Sequence, residues 1–132
     1  MHNLVKKTIH SNKLFFNKEI ALEYLNNSLE LYYQVIDLYL TIYSDLEITL
    51  TKYILEKNYS EILKIVHKLK GISMYTGCIL LHEYTTYLHQ KLFLKNYVNI
   101  INEIKLLIEL NNKIIAYLKE EMNYEKRVIN CK

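Results

Sequence analysis

A chain of 132 residues has room for one domain, and an apolar content of 51% is enough to give it a core. Seventeen Lys and Arg against 14 Asp and Glu leave a net charge of +3, with Arg127 the only arginine; no dense basic stripe marks a nucleic-acid binder. No apolar run approaches the roughly 18 residues of a membrane span, and no long apolar stretch opens the chain, so neither span nor secretory signal is expected.

With no Pro and two Gly, helix breakers are nearly absent, and the Lys, Leu, Ile and acidic content favours helix. Residues 1–16 form a basic leader, either flexible or a short extra helix. Asn17 is placed to cap a short helix over Lys18–Leu25, and Asn26-Asn27-Ser28 reads as a turn ending in a new N-cap. From Leu29 a three-four spacing runs through Tyr32, Ile36, Tyr39, Tyr43, Leu46, Leu50 and Tyr53, the seam of a helix packed on helices. Ser44 with Glu47 resembles a capping box, so that helix is expected to kink or split there. The Tyr hydroxyls on the seam are expected to reach the surface. The next helix starts at Asn58 or Ser60 and ends at Gly77. Another covers about Cys78–Phe93. The last begins near Asn96 and carries Ile101, Ile104, Ile108, Ile115, Leu118 and Met122 on one stripe, interrupted by Asn111; residues 124–132 are expected to be a polar tail. No strand-period segment is found. The expected fold is all-α: an up-down antiparallel four-helix bundle over residues 17–123, with a short extra N-terminal helix.

Most of the chemistry falls on the helix around His67. At about 100° per residue, Ile62, Ile65, Leu69, Ile72, Ser73 and Thr76 gather on the core side and His67 points outward. Around it lie Leu63, Lys64, Lys70, Gly71 and Met74. Gly71, one turn on, costs about 1 kcal/mol relative to Ala in a helix interior, which suits a partner that must come close. Lys64 and Lys70 stand one turn either side, where ammonium groups would stabilise an added phosphoryl group. Leu63 and Met74 make a small apolar docking patch. Singly, each has a plainer reading: a polar helix residue, a common Lys, a Gly relieving a helix crossing, apolar residues covered by the leader. Their coincidence on one helical turn favours a site.

The string His67-Lys68-Leu69-Lys70-Gly71-Ile72-Ser73, followed by Gly77-Cys78 and Leu81, resembles the signature of histidine-containing phosphotransfer domains. Ile20-Ala21-Leu22, the Asn26–Ser28 turn and Leu29–Tyr32 resemble the family's opening segment, so the likeness covers about residues 17–122. The resemblance implies that His67 accepts a phosphoryl group from a receiver-domain aspartate and passes it to another, in a two-component phosphorelay. Lys70 would steady the phosphoryl oxygens, Gly71 would admit the receiver's loops, and Lys68 and Lys64 would be supporting charges. It also implies no kinase or ATPase activity and no cofactor of its own, Mg2+ residing in the receiver. The partners would be receiver domains of a hybrid histidine kinase or response regulator, in the cytoplasm, with no nucleic acid, membrane or small-molecule substrate. The sequence departs from the family in Cys78, where Ala is usual, in His89, near a frequent Glu, in an opening turn without glycines, and in its basic charge.

His82 and His89 lie two turns apart, too far to share one metal ion, and read as surface or interface residues. Cys78 and Cys131 have no CxxC spacing; both read as free thiols in a reducing compartment, and Cys78 as buried. No metal site is expected, since the core stripes are Leu, Ile and Tyr rather than Glu and His. The alternative to a phosphocarrier is a helical adaptor or dimerisation module without chemistry.

Overall fold

The structure, a computed structural model, describes residues 1–10 and 16–130, the side chains of residues 127–130 excepted. Cys131 and most of the junction between the leader and the first capped helix lie outside the described residues. The fold is all-α. Among the described residues there are seven helices and no strand: α1 (His2–His10), α2 (Lys18–Tyr24), α3 (Leu29–Tyr43), α4 (Leu46–Leu55), α5 (Tyr59–Thr76), α6 (Ile79–Phe93) and α7 (Ile100–Asn130).

Short polar side chains set the helix starts. Asn17 accepts a hydrogen bond from the Ile20 amide at 3.2 Å, Ser28 from Leu31 at 3.1 Å, and Asn58 from Glu61 at 3.3 Å. Asn26 and Asn27 take left-handed φ values of 55° and 59°, which turns the chain between α2 and α3. Gly77 ends α5 at φ 82°, and a Cβ there would stand 2.6 Å from the Asn17 carbonyl oxygen. The Asn17 amide donates to the Gly77 carbonyl at 2.7 Å, so the start of α2 is tied to the end of α5.

The seam from Leu29 splits into α3 and α4. Asp45, the residue before α4, makes no side-chain cap bond, so the split does not rest on the expected capping box. Tyr32, Ile36, Tyr39, Tyr43, Leu46 and Leu50 are buried, whereas Leu29, in the first turn, is exposed. Tyr39 departs from expectation. Its ring is fully buried and its hydroxyl donates to the Asn111 side-chain oxygen at 2.5 Å, while the Asn111 amide donates to the Tyr43 carbonyl at 3.0 Å. The residue that interrupts the α7 stripe is thus the polar partner of a core tyrosine.

On α7 the buried stripe runs through Ile100, Ile104, Leu107, Ile114 and Leu118; Ile101 is exposed. The helix begins four residues later than the sequence suggested, because Lys95 and Asn99 both take left-handed φ. It also continues through the expected polar tail to Asn130, since nothing between Ile100 and Asn130 is Gly or Pro. Within the leader, the helix α1 buries Val5, Thr8 and Ile9 and packs on α7. Lys91 on α6 pairs with buried Glu103 on α7 and donates to the Val98 carbonyl at 2.6 Å, bracing the α6–α7 turn. The most extensive helix contact is between α5 and α6, and α5 also touches α2, α3 and α4.

Candidate functional site

The buried residues of α5 are Ile62, Val66, Leu69, Ser73 and Thr76, with Ile65 and Ile72 only partly covered. The core face is therefore rotated by about 40° toward Val66 from the expected one. The outward face then centres on Gly71, and His67 sits on the flank turned toward α6. His67 is still exposed.

Across that flank, Nδ1 of His67 lies 3.3 Å from Nε2 of His89 on α6, and the ring centroids are 5.1 Å apart. The His89 ring also stacks on Phe93. His89 titrates below the usual histidine range, first because it is partly desolvated, then because Lys70 and His67 place positive charge beside it. Two turns before His89 on α6, His82 Nδ1 is 3.1 Å from Ser73 Oγ and 3.4 Å from the Lys70 carbonyl. Because Ser73 Oγ donates to that same carbonyl at 2.8 Å, the network assigns the His82 proton to Nδ1.

A groove of about 340 Å³ opens over this face, lined by Tyr24, His67, Lys70, Gly71, Met74, Tyr75 and His82. A Cβ on Gly71 would meet nothing within 4 Å, so this glycine relieves no helix crossing. The groove thus brings together four of the residues singled out in the sequence: His67, Lys70, Gly71 and Met74. It does not take in the other three. Lys64 points away to Glu61, its Nζ 3.0 Å from the carboxylate; Lys68 is exposed beyond the groove; Leu63 is half-buried against the core. The apolar patch is accordingly Met74 with the two tyrosines rather than Met74 with Leu63.

Tyr24, Tyr75 and the neighbouring histidines were not readable as site residues. Tyr24 and Tyr75 come from different helices and meet edge to face, with centroids 5.9 Å apart. The His82–His89 spacing was visible but gave no indication that α6 lies against α5. Among the described residues no group of three or more His, Cys, Asp or Glu is placed to hold a metal ion. A second groove of about 370 Å³, lined by Lys18, Tyr117, Glu120, Glu121 and Tyr124, contains neither histidine nor cysteine. Cys78 is buried, and burial pushes its thiol up to about 12. No helix among the described residues is long and apolar enough to cross a membrane. No protein-family model, curated protein or solved structure matches the chain.

Proposed function

We propose that this protein is a phosphorelay carrier of the histidine phosphotransfer type, with His67 as the phosphoryl acceptor. The observation that carries the reading is the bare helix surface at Gly71, one turn from an exposed His67 and in one groove with Lys70. A helix-interior glycine with open space over it costs stability and fills no packing need, so its use lies outside the chain. The proposal includes the arrangement of α3–α4, α5, α6 and α7 as the up-down four-helix bundle of that family, and a cytoplasmic location.

In the tautomer in which His67 Nδ1–H donates to His89 Nε2, the lone pair on His67 Nε2 is the nucleophile. It attacks the phosphorus of a receiver phosphoaspartate in line. The N–P bond forms as the P–O bond to the aspartate breaks, and the carboxylate leaves with that electron pair. Positive charge that develops on the imidazole is shared with His89 through Nδ1–H. Lys70 stabilises the charge on the transferring oxygens, and Gly71 lets the receiver's loops reach the ring. Mg2+ belongs to the receiver. Return transfer to a second aspartate reverses these bonds.

The test is incubation with receiver domains loaded from a small-molecule phosphodonor. Acid-labile label is expected on the wild type and none on His67→Ala. Equal labelling of both proteins removes His67. A wild type that stays unlabelled with receivers it binds is the outcome of a non-catalytic adaptor.

A further inference from the structure

One stretch of the chain, residues 19–51, bears neither histidine nor lysine. Between Lys18 and Lys52 the chain has no basic residue, while Glu19, Glu23, Glu30, Asp37, Asp45 and Glu47 are all exposed. The remaining sequence is strongly basic by difference, so charge is segregated along the chain rather than mixed.

On α3 this acidic segment carries a second apolar stripe besides the core seam. Leu31, Val35, Leu38 and Ile42 repeat at four, three and four residues, within an arc of about 60°. Leu31 is 43% exposed, Leu38 50% and Ile42 53%, and Val35 is half-buried. The core residues Tyr32, Ile36, Tyr39 and Tyr43 centre about 100° away; Val35 packs against the core, while Leu31, Leu38 and Ile42 stand exposed beside it. Glu30 and Asp37 lie on its solvent side, about 100° beyond the stripe.

We propose that this face of α3 docks a cationic amphipathic helix from a partner protein. Leu31, Val35, Leu38 and Ile42 would take its apolar side, and Glu30 and Asp37 its flanking Lys or Arg. A run of i, i+4, i+7, i+11 apolar positions is the register a helix presents to another helix. The charge selects the occupant. A second copy of the same face would set acidic rims against each other, and an anionic lipid surface would be repelled by them. The proposal does not depend on His67, which lies on α5.

The probe is a synthetic Leu/Lys amphipathic peptide of about two heptads, with a Leu/Glu version as control. Amide chemical shifts of the full-length protein are followed during titration. Shifts confined to α3 with the Leu/Lys peptide, and none with Leu/Glu, are expected. Leu38→Asn combined with Ile42→Asn should weaken binding about tenfold or more; both residues are half-exposed, so the fold survives. Glu30→Lys with Asp37→Lys should reverse the preference toward the Leu/Glu peptide. Shifts elsewhere on the surface, or affinity unchanged by either double variant, overturn the proposal. So does concentration-dependent self-association that the Leu38/Ile42 variant abolishes, which would make a second copy the occupant.

Discussion

His67 and His89 face each other across the α5–α6 contact with Nδ1 and Nε2 3.3 Å apart, so one ring must donate and the other accept. His89 titrates below the usual range, which favours its neutral form, the one able to accept through Nε2. Under the carrier reading His89 is a positioning residue: it holds the His67 proton on Nδ1 and leaves Nε2 outward. His89→Ala should slow phosphoryl transfer about tenfold, less than the roughly hundredfold or more of a group that transfers the proton itself, with receiver binding unchanged. His89→Gln, which still offers an accepting oxygen, should recover much of the rate. Nitrogen-15 shifts of His67 supply a readout that packing alone would not move. Loss of the Nδ1–H signature in His89→Ala is expected, and its persistence would remove the role.

The same histidine gives a pH dependence with a defined sign. Its folded pKa lies below the ordinary histidine value of about 6.5, so the unfolded chain binds the proton more readily. The stability tied to neutral His89 is present above about pH 6.5 and is lost as pH falls through the lower folded pKa. Transfer should fall over that same acidic window, because protonated His89 no longer accepts from His67. Rates measured between neutral and mildly acidic pH should show this drop in the wild type and a weaker one in His89→Gln.

Gly71→Ala separates folding from function. Nothing stands within 4 Å of the added methyl, and Ala is the better helix former. Denaturation should find the variant more stable by about 0.5–1 kcal/mol, while transfer slows because the methyl meets the approaching receiver. A larger Gly71→Leu replacement should slow it further. A stabilised variant that transfers at the wild-type rate would leave the glycine unexplained.

Tyr39→Phe removes the buried partner of Asn111 and strands its side-chain oxygen. Urea unfolding should register a loss of about 1–3 kcal/mol. A change within about 0.5 kcal/mol would mean that the pair contributes little.

Cys78 should resist thiol reagents. Its thiol is buried and pushed up to about 12, so the reactive thiolate is scarce at neutral pH. In a Cys131→Ser background, native protein should react with an aromatic disulfide only as it unfolds; rapid labelling at pH 8 would contradict the burial.

The helices were legible because their signals are local. Asn17, Ser28, Asn58 and Gly77 mark boundaries through their own side chain or lack of one, and the structure uses all four. Lys95 and Asn99 gave less warning: a left-handed turn at Lys has no strong sequence signature, and α7 started later than expected. The polarity of Asn111 looked like a flaw in a stripe, because its partner Tyr39 is 72 positions away. The groove was half legible for the same reason. His67, Lys70, Gly71 and Met74 share one helix face, which a helical wheel can find. Tyr24, His82 and His89 join them only through tertiary packing. The wheel also misjudged the core direction by omitting Val66, and that rotation brings His67 against α6.

The most direct measurement is the position of the phosphoryl group after transfer from a loaded receiver, read by phosphorus and nitrogen NMR on the intact protein. Three histidines border the region, so the atom matters as much as the residue. A single phosphoramidate on Nε2 of His67, absent in His67→Gln, is the predicted result. A phosphoryl group on His82 or His89, or none on a protein that binds the loaded receiver, would contradict the assignment of His67 as the carrier.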